Sequence, residues 1–382
     1  MAHSAFAWLC APDQGPRDVD AAMMARALVE ARRGVGRTAP NPPVGAVVAR
    51  DGAVLAVGHH ARAGERHAEV VALDQVAGAA RGATLYVTLE PCTHHGRTPP
   101  CVDRVLAEDI ARVVVGAADG NPRVSGGGIE RLRAAGVDAS LIADADIAAQ
   151  ASALVAPFTS AMTRGRPWVL LKIAATLDGR VAAANGRSRW ITGPHARALV
   201  HELRDAVDAV VVGSGTVLAD DPALTVRAAP PRADGEARRD PRRVIIDGTL
   251  RCDPRAQVFG AGSLVVHGGA ASAERQRAFD DAGVERVVAG PGPVDLAAAL
   301  FCLAQRGLHA LLVEAGPRLA AALWQAGLVD ELWWMTAPRV LGDDAVPAVG
   351  PLDLASPDQA PRLTLVGERA FSDGDALRVL LR

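Results

Sequence analysis

Lysine and asparagine are scarce in this chain of 382 residues. Among its 41 lysine and arginine residues, Lys172 is the one lysine, and asparagine occurs at three positions, Asn41, Asn121 and Asn185. Arginine, alanine, glycine and proline replace them, which suggests a GC-rich coding background. Each lysine or asparagine that remains is therefore a candidate for a functional role.

The chain also lacks an excess of charge, long apolar runs and many cysteines. With 41 basic and 43 acidic residues its net charge is −2, which disfavours proteins that bind nucleic acid or a membrane surface through a basic face. Its apolar runs fall far short of the roughly 20 residues that span a membrane, and residues 1–12 lack the basic segment of a signal peptide. Five cysteines provide no disulfide framework. We expect a soluble, cytoplasmic protein.

The length predicts two domains, since a single core rarely grows past about 250–300 residues. Strand and helix patterns alternate in both halves, which is typical of α/β sheets with helices on their faces. The best boundary is the polar segment 163–167, Thr-Arg-Gly-Arg-Pro, just before a predicted strand. We expect one domain over residues 19–163 and another over 167–382, with no repeat between them.

Hydrophobic periodicity and turn residues predict the individual elements. In the first half we expect helices at 19–33, 67–76, 102–108, 126–136 and 143–163, with strands at 44–49, 54–58, 84–89 and 112–116. In the second half we expect strands at 168–174, 209–213, 244–247, 264–267, 284–289, 310–314 and 331–337, and helices at 195–205, 273–282, 296–306 and 318–326.

The strongest local signal is His67-x-Glu69, followed by Pro91-Cys92 and later by Cys101. A zinc deaminase needs three protein ligands, an open coordination position for water, and a carboxylate that is not a ligand. His67, Cys92 and Cys101 are the candidate ligands. Glu69, near the start of a helix, is the candidate for moving a proton to the leaving ammonia. A purely structural zinc, or two unrelated buried cysteines, are the alternatives.

The spacing of the two cysteines differs from the Cys-x-x-Cys of most zinc deaminases. Eight residues, 93–100, separate them, and these include His94, His95 and Arg97. Side chains of this kind suit a negatively charged substrate.

A weaker signal in the second half indicates nucleotide binding. The strand at 310–314 runs into Ala315-Gly316-Pro317 and then a helix, whose first N–H groups suit a pyrophosphate. Most such turns are structural. No Gly-x-Gly-x-x-Gly follows a strand, and Gly213-x-Gly215 comes nearest, which disfavours an ordinary Rossmann dehydrogenase.

Taken together, these motifs resemble those of the bifunctional deaminase–reductases of riboflavin biosynthesis. The matching segments are 39–45, 67–70 and 90–101 in the first half, and 171–180, 188–192, 215–227 and 313–317 in the second. The resemblance covers roughly residues 19 to 382. It implies an N-terminal cytidine-deaminase-like α/β/α domain and a C-terminal dihydrofolate-reductase-like α/β domain. The long cysteine spacing is the family's own.

The resemblance implies two sequential reactions on small phosphoribosyl pyrimidines. The first domain would bind one Zn²⁺ and remove an amino group by hydrolysis from 2,5-diamino-6-ribosylamino-4(3H)-pyrimidinone 5′-phosphate. The second would use NADPH to reduce the ribosyl group, giving 5-amino-6-(5-phospho-D-ribitylamino)uracil. Because relatives form oligomers, a homodimer or tetramer is expected, with no nucleic-acid or membrane partner.

The resemblance also assigns roles to single residues, with His67, Cys92 and Cys101 as zinc ligands and Glu69 as the proton carrier. The deaminase substrate would contact Asn41, His60, His94, Arg97, Asp119 and Asn121. The reductase substrate would contact Ser188, Arg204, Leu224, Arg227 and Glu314. NADPH would contact Ala174, Trp190, Thr216, Asp220, Gly316, Pro317, Arg318, Leu319, Ala320, Ala321 and Ala322. For His60 and Asn121 the alternative is an ordinary structural role in a loop. For Arg204 and Arg227 the alternative is a solvated charge at the surface.

Lys172 lies within the predicted strand 168–174, and alternation places it on the same face as Ala174. A lysine in a strand usually lies at an edge or in solvent. In a chain with one lysine we instead predict a catalytic role, in which Lys172 contacts the phosphoribosyl part of the substrate or polarises its imine tautomer. Gly248 departs from the family, which tends to carry a serine in contact with the cofactor there.

Two other hypotheses stay open. Another zinc deaminase of nucleosides, nucleobases or nucleic acids, with an accessory domain, predicts a basic groove and Cys-x-x-Cys spacing, and the sequence indicates neither. A non-catalytic zinc-stabilised module is disfavoured by Glu69 and the open fourth ligand position.

Overall fold

The computed structural model describes residues 3–9, 18–76, 78–95, 99–121, 127–227, 229–232 and 234–382. The chain divides into two compact units, with the main division between Gly165 and Arg166. Within the described residues, no helix is both long and apolar enough to cross a membrane.

Five strands of the first unit's described part form one sheet. They are β1 (Gly45–Arg50), β2 (Ala53–His59), β3 (Thr84–Val87), β4 (Arg112–Val115) and β5 (Asp138–Leu141). Their order is β2-β1-β3-β4-β5, with β1 antiparallel to both neighbours and β3, β4 and β5 parallel. The helices are α1 (Val19–Gly34), α2 (Ala68–Val76), α3 (Cys101–Ala107), α4 (Gly127–Ala134), α5 (Ala145–Leu154) and α6 (Ala156–Arg164).

Local chemistry explains the first elements of this unit. The Asp18 carboxylate caps α1 by accepting a hydrogen bond from the Ala21 N–H at 2.7 Å. Asp51 and Gly52 both have positive φ, 51° and 78°, as the tight turn between β1 and β2 requires. The predicted helix and hairpin are therefore confirmed. The single helix predicted over 143–163 is wrong, because α5 ends before Val155 and α6 begins after it.

Two glycines let helices lie directly against the sheet. A Cβ on Gly45 would lie 2.0 Å from the carbonyl oxygen of Ala27 in α1, and one on Gly58 would lie 2.4 Å from that of Ala68 in α2. Such distances are well below van der Waals contact. The packing that positions His67 and Glu69 at the start of α2 therefore depends on glycine in β2.

We expect Gly45→Ala to lower the free energy of unfolding of the first unit by about 2–3 kcal/mol, because α1 has to move away from β1. Urea unfolding measures the change. Gly127→Ala is a matched control, since a Cβ there would meet the Thr93 hydroxyl at an ordinary 3.5 Å. Equal stability of both variants and the wild type would show that α1 is not held against β1 as described.

The strands of the second unit are β6 (Trp168–Thr176), β7 (Arg180–Ala182), β8 (Ala209–Gly213), β9 (Arg242–Ile246), β10 (Ser263–His267), β11 (Glu285–Val288), β12 (Ala310–Val313), β13 (Glu331–Ala337), β14 (Val346–Pro347), β15 (Thr364–Ala370) and β16 (Ala376–Leu381). Its helices are α7 (Pro194–Ala206), α8 (Ser214–Asp220), α9 (Ala273–Asp281), α10 (Leu296–Gln305) and α11 (Pro317–Gln325).

Nine of these strands form one sheet in the order β11-β10-β9-β8-β12-β6-β13-β16-β15. The pairs from β11 to β13 are parallel, and β16 is antiparallel to β13 and β15. The central strands are apolar and buried, as expected for a sheet covered on both faces. After β8 the chain continues to β9, whereas after β12 it continues to β13 on the other side. The carboxyl ends of β8 and β12 therefore border the crevice at which open α/β sheets bind ligands.

Candidate functional site

Three side chains meet in the first unit as the sequence predicts for a metal site. His67 directly precedes α2, Cys92 follows β3, and Cys101 is the first residue of α3. His67 Nδ1 lies 3.1 Å from Cys101 Sγ and 3.7 Å from Cys92 Sγ. All three possible ligand atoms lie within 4.8 Å of one another.

This arrangement fits a zinc ion. Sulfur and nitrogen donors bound tetrahedrally to one zinc, at about 2.3 and 2.1 Å, lie about 3.6 Å apart. The two N–S distances here, 3.1 and 3.7 Å, lie on either side of that value. Three ligands leave the fourth tetrahedral position for a water molecule or substrate, which is the pattern of a catalytic zinc.

The two thiols influence each other strongly. The hydrogen bond from the Cys101 thiol, together with His67, lowers the pKa of Cys92, whereas the neighbouring Cys92 thiolate raises the pKa of Cys101. Two adjacent thiolates repel each other in a partly buried site. A divalent cation between them removes that repulsion, so this donor set suits a metal with affinity for sulfur.

Glu69 lies in the first turn of α2 and is 3% exposed. Burial raises the pKa of its carboxyl group. It lies beside the three candidate ligands, but among the described residues the group whose ligand atoms all lie within 4.8 Å of one another consists of His67, Cys92 and Cys101. Its position suits a group that accepts and returns a proton.

Glu90 holds the cysteine-bearing segment in place, a role that the sequence did not assign to it. One carboxylate oxygen accepts hydrogen bonds from the backbone N–H groups of Gly128 and Ile129 at 2.9 and 3.0 Å, and the other accepts from the backbone N–H of Asp119 at 3.2 Å. Glu90 thereby ties the segment that carries Cys92 to α4 and to the loop after β4. A buried glutamate between an apolar strand and a proline was the signal that could have indicated this role.

Two of the predicted deaminase-substrate residues touch each other. His60 Nδ1 lies 3.1 Å from the Arg66 carbonyl oxygen, so it donates, and Nε2 then accepts from the Asn41 amide at 3.1 Å. Burial lowers the pKa of His60, which agrees with a neutral ring. The His60 and His67 rings pack edge to face at 5.3 Å between centroids. Asn41 and His60 therefore lie beside the metal site.

The remaining candidates of this site come from the loops after β3 and β4. Asp119 is buried, which raises its carboxyl pKa, and it accepts a hydrogen bond from the Asn121 N–H at 2.8 Å. His94 is exposed at the surface and lies close enough to influence the charge of Asp119. Arg97 lies outside the described residues.

In the second unit, Lys172, Arg204 and Glu314 form one charged cluster. Arg204 Nε donates to Glu314 Oε1 at 2.7 Å, and a second guanidinium nitrogen donates to the Thr225 carbonyl oxygen at 3.0 Å. Lys172 lies on β6, a central strand rather than an edge, and is half-buried like Ala174 on the same face. Burial lowers the pKa of Lys172, and the negative charge of Glu314 partly offsets this decrease.

Glu314 stabilises the fold in a way that depends on pH. Burial alone would raise its pKa, but the charges of Arg204 and Lys172 lower it from 4.5 to about 2. An acid with a lowered pKa in the folded state stabilises the fold above its unfolded pKa, and this contribution is lost as the pH falls toward the folded pKa.

We expect the difference in unfolding free energy between wild type and Glu314→Gln to shrink by about 1–2 kcal/mol between pH 7 and pH 3.5. Urea unfolding at several pH values measures it. The pH dependence should be much weaker in an Arg204→Gln background, where the main cation is gone. A difference that stays constant over this range would contradict the lowered pKa.

The junction of β8 with α8 and the loop between β12 and α11 both contain glycines whose backbone a dinucleotide phosphate could approach. Gly316, just before α11, has no side chain to cap the first N–H groups of that helix. A Cβ there would lie 3.9 Å from the Thr216 hydroxyl, and one on Gly213 would lie 3.7 Å from Leu319. A Cβ on Gly215 would meet nothing within 4 Å. The backbone at both places therefore has no side chain that blocks the approach of a ligand.

Most of the other residues predicted to contact NADPH or the reductase substrate are at least partly exposed. Trp190 is 61% exposed, with the Arg197 guanidinium 4.4 Å above its ring. Leu224 is buried with a φ of 52°, and Arg227 is exposed. Ser188, Asp220, Pro317, Leu319 and Ala322 are partly exposed, Ala320 and Ala321 are buried, and Arg318 is exposed.

Comparisons with known proteins match both units. Residues 167–377 match the family model of the RibD C-terminal domain, and residues 17–117 match the cytidine and deoxycytidylate deaminase zinc-binding region. The riboflavin biosynthesis protein RibD of Escherichia coli (strain K12) is 44% identical over 331 residues, which cover 84% of this chain and 88% of that protein. RibD of Aquifex aeolicus (strain VF5) is 38% identical over 347 residues, covering 90% and 93%.

Solved structures agree. RibD from Acinetobacter baumannii (form 1) is 36% identical, with a TM-score of 0.84, and the match covers 95% of this chain and 98% of that one. A diaminohydroxyphosphoribosylaminopyrimidine deaminase/5-amino-6-(5-phosphoribosylamino)uracil reductase from Thermotoga maritima is 33% identical, with a TM-score of 0.81 and the same coverage.

These matches confirm the predicted fold class, a cytidine-deaminase-like domain followed by a reductase domain of the dihydrofolate-reductase-like type. They extend across both units, which favours a deaminase–reductase over a zinc deaminase with an unrelated accessory domain. The chain therefore belongs to the RibD family, the bifunctional deaminase–reductases of riboflavin biosynthesis.

Proposed function

We propose that the first unit deaminates 2,5-diamino-6-ribosylamino-4(3H)-pyrimidinone 5′-phosphate, and that the second unit reduces the product with NADPH to 5-amino-6-(5-phospho-D-ribitylamino)uracil. The observation that carries this proposal is the cluster of His67, Cys92 and Cys101 with the buried Glu69 beside it. The Thermotoga maritima relative, whose name states both activities, supports it.

In the deamination, water replaces the amino group and ammonia leaves. Zinc, when bound, would act as a Lewis acid that makes a water molecule reactive near neutral pH. Glu69 takes the proton from this water and returns it to the leaving amino group. Asn41 holds His60 neutral beside the metal ligands, and the two residues position the pyrimidine together with Asp119 and Asn121. His94 and Arg97 bind the phosphate.

In the reduction, a hydride and a proton open the ribosyl group to ribityl. NADPH, when bound, supplies the hydride, with its pyrophosphate held by the backbone after β12 and the start of α11. Arg204 and Glu314 orient each other and face the phosphoribosyl part of the substrate, whose phosphate Arg204 can bind. Lys172, next to both, contacts the phosphoribosyl group or polarises its imine tautomer.

The remaining predicted contacts complete the two substrate sites. Ser188, Leu224 and Arg227 face the reductase substrate, and Ala174, Trp190, Thr216 and Asp220 line the cofactor site. The homodimer or tetramer, the cytoplasmic location and the absence of nucleic-acid and membrane partners stay predictions.

Metal removal tests the proposal. Treatment with a chelator should abolish ammonia release, because the Lewis acid that makes the water reactive is lost. Added Zn²⁺ should restore ammonia release, because the three protein ligands remain in the chain. Reduction of separately supplied deaminated intermediate by NADPH should continue in the metal-free protein. Full ammonia release after complete zinc loss, or equal loss of both activities in a folded protein, would contradict the assignment of one reaction to each unit.

A further inference from the structure

The short segment 224–227 is fixed to the rest of the second unit through its backbone. Arg204 of α7 donates a hydrogen bond to the Thr225 carbonyl oxygen at 3.0 Å. The Asp240 carboxylate accepts one from the Val226 N–H at 2.6 Å. The last residue of the segment is fixed by a further contact to α7.

His201 of α7 makes this further contact. It lies three residues before Arg204, so both side chains extend from the same face of the helix. His201 Nδ1 accepts a hydrogen bond from the Arg227 N–H at 3.3 Å. The histidine is half-buried, whereas Arg227 is exposed. His201 therefore holds the backbone of Arg227, while the guanidinium of Arg227 can reach a ligand.

The charges around His201 favour a neutral ring. Burial lowers the pKa of His201, and the positive charges of Arg204 and Arg227 lower it further. The charge of Glu314 and a hydrogen bond to the Thr225 carbonyl oxygen oppose this decrease only in part. A neutral imidazole keeps a lone pair for the Arg227 N–H, whereas a protonated imidazole has two donors and no acceptor. The surroundings thus favour the form of His201 that can hold Arg227.

This contact adjoins the cluster of Lys172, Arg204 and Glu314. His201 and Glu314 lie close enough to influence each other's pKa. On the proposed reductase function, on which this inference rests, Arg204 and Arg227 contact the phosphoribosyl part of the substrate. Two guanidinium groups bind a phosphate well when the distance between them is fixed. Because Arg204 and His201 belong to one helix, α7 sets that distance.

We propose that His201 is a positioning residue for the reduction, which through its hydrogen bond to the backbone of Arg227 holds that guanidinium against the phosphate of the ribosyl group. The imidazole acts through Arg227 and not on the reacting atoms. A phosphate away from the reacting carbon is bound equally before and during hydride transfer, so the contribution of His201 is expected in substrate binding and not in the rate of the bound complex.

Steady-state reduction of the deaminated intermediate by NADPH, catalysed by the whole chain, tests the proposal. In His201→Gln the amide reaches the place of Nε2 rather than that of Nδ1, so the bond to Arg227 is lost. We expect KM for the intermediate to rise about 5–10-fold, the effect of one lost hydrogen bond, while kcat stays within about twofold of the wild-type value. His201→Asn places an amide oxygen close to the position of Nδ1 and should bring KM back to within about twofold of wild type.

The phosphate supplies a second readout. With the intermediate from which the 5′-phosphate has been removed, kcat/KM of His201→Gln should equal that of wild type, because the lost contact serves the phosphate alone. His195→Gln is a matched control, since this histidine is exposed at the start of the same helix and should behave like wild type with both substrates. The Kd for NADPH, measured by calorimetry, should be the same in all four proteins, which shows that the second unit is folded.

An unchanged KM in His201→Gln, or a loss that is as large with the dephosphorylated intermediate, would overturn the proposal. So would a His201→Asn variant that behaves like His201→Gln, because an acceptor at the position of Nδ1 would then not matter. Loss of NADPH binding in both variants would assign His201 to the stability of the unit instead. A wild type that does not reduce the intermediate would reject the proposed reductase function, which is a different result from these three.

Discussion

Replacing Glu69 with glutamine is expected to lower ammonia release by about 10²–10⁴-fold, the usual contribution of a general acid–base, while one zinc stays bound to the protein. Glutamine has nearly the same volume as glutamate, so the buried site keeps its shape, but the amide cannot take a proton from water. The turnover number and the metal content, measured on the same sample, check both parts of this prediction.

A matched variant and the second activity serve as controls for Glu69. Glu65 lies in the exposed loop before His67. The variant Glu65→Gln should therefore leave ammonia release unchanged. NADPH-dependent reduction of the deaminated intermediate should also be unchanged in Glu69→Gln. Loss of zinc from Glu69→Gln would mean that Glu69 is a ligand, and normal ammonia release would remove it from the mechanism.

Lys172→Met is expected to lower kcat/KM for the reduction by about 10²–10³-fold, which is the usual effect of removing one group that stabilises developing charge. Methionine keeps most of the side-chain volume on β6 but removes the ammonium group beside Glu314 and Arg204. Stopped-flow or steady-state oxidation of NADPH with the deaminated intermediate measures the change, and ammonia release should stay at the wild-type rate.

Lys172→Arg separates charge from geometry at this position. Arginine keeps the positive charge, but its guanidinium is larger and planar, so it cannot occupy the place of an ammonium group. We expect at least a tenfold loss of reductase turnover. Full turnover and full substrate affinity in Lys172→Arg would show that the one lysine of the chain has no specific role in the reaction.

The candidate metal site was predictable because zinc ligands of this kind occur in short sequence motifs. His67 and Glu69 are two residues apart at a helix start, and the Pro91-Cys92 pair follows a strong strand. The motifs restrict which residue types can hold zinc, and the fold then brings them within 4.8 Å. The role of Glu90 was not predictable in this way, since its partner Gly128 lies 38 residues away and contributes only a backbone N–H.

The central strands of the second unit were predictable, whereas the edge strand β15 and the short helix α8 were not. Buried parallel strands such as β8 and β12 have continuous apolar sequences. The edge strand β15 is largely exposed, with a Gly-Glu-Arg sequence that gives no alternation, and α8 is a single short helix containing Gly215 and Thr216. The ion pair of Arg204 with Glu314 joins residues 110 positions apart, so only the folded sheet shows it.

On the proposed function, one chain performs both reactions in a fixed order. Incubating the purified protein with 2,5-diamino-6-ribosylamino-4(3H)-pyrimidinone 5′-phosphate, with and without NADPH, tests it most directly. Ammonia should appear at the same rate in both samples, and NADPH should be oxidised only after deamination, with mass spectrometry identifying the ribityl product. Ammonia release without any later NADPH oxidation would show that the second unit does not reduce the product. NADPH oxidation before any ammonia appears would show that the order of the two reactions is wrong.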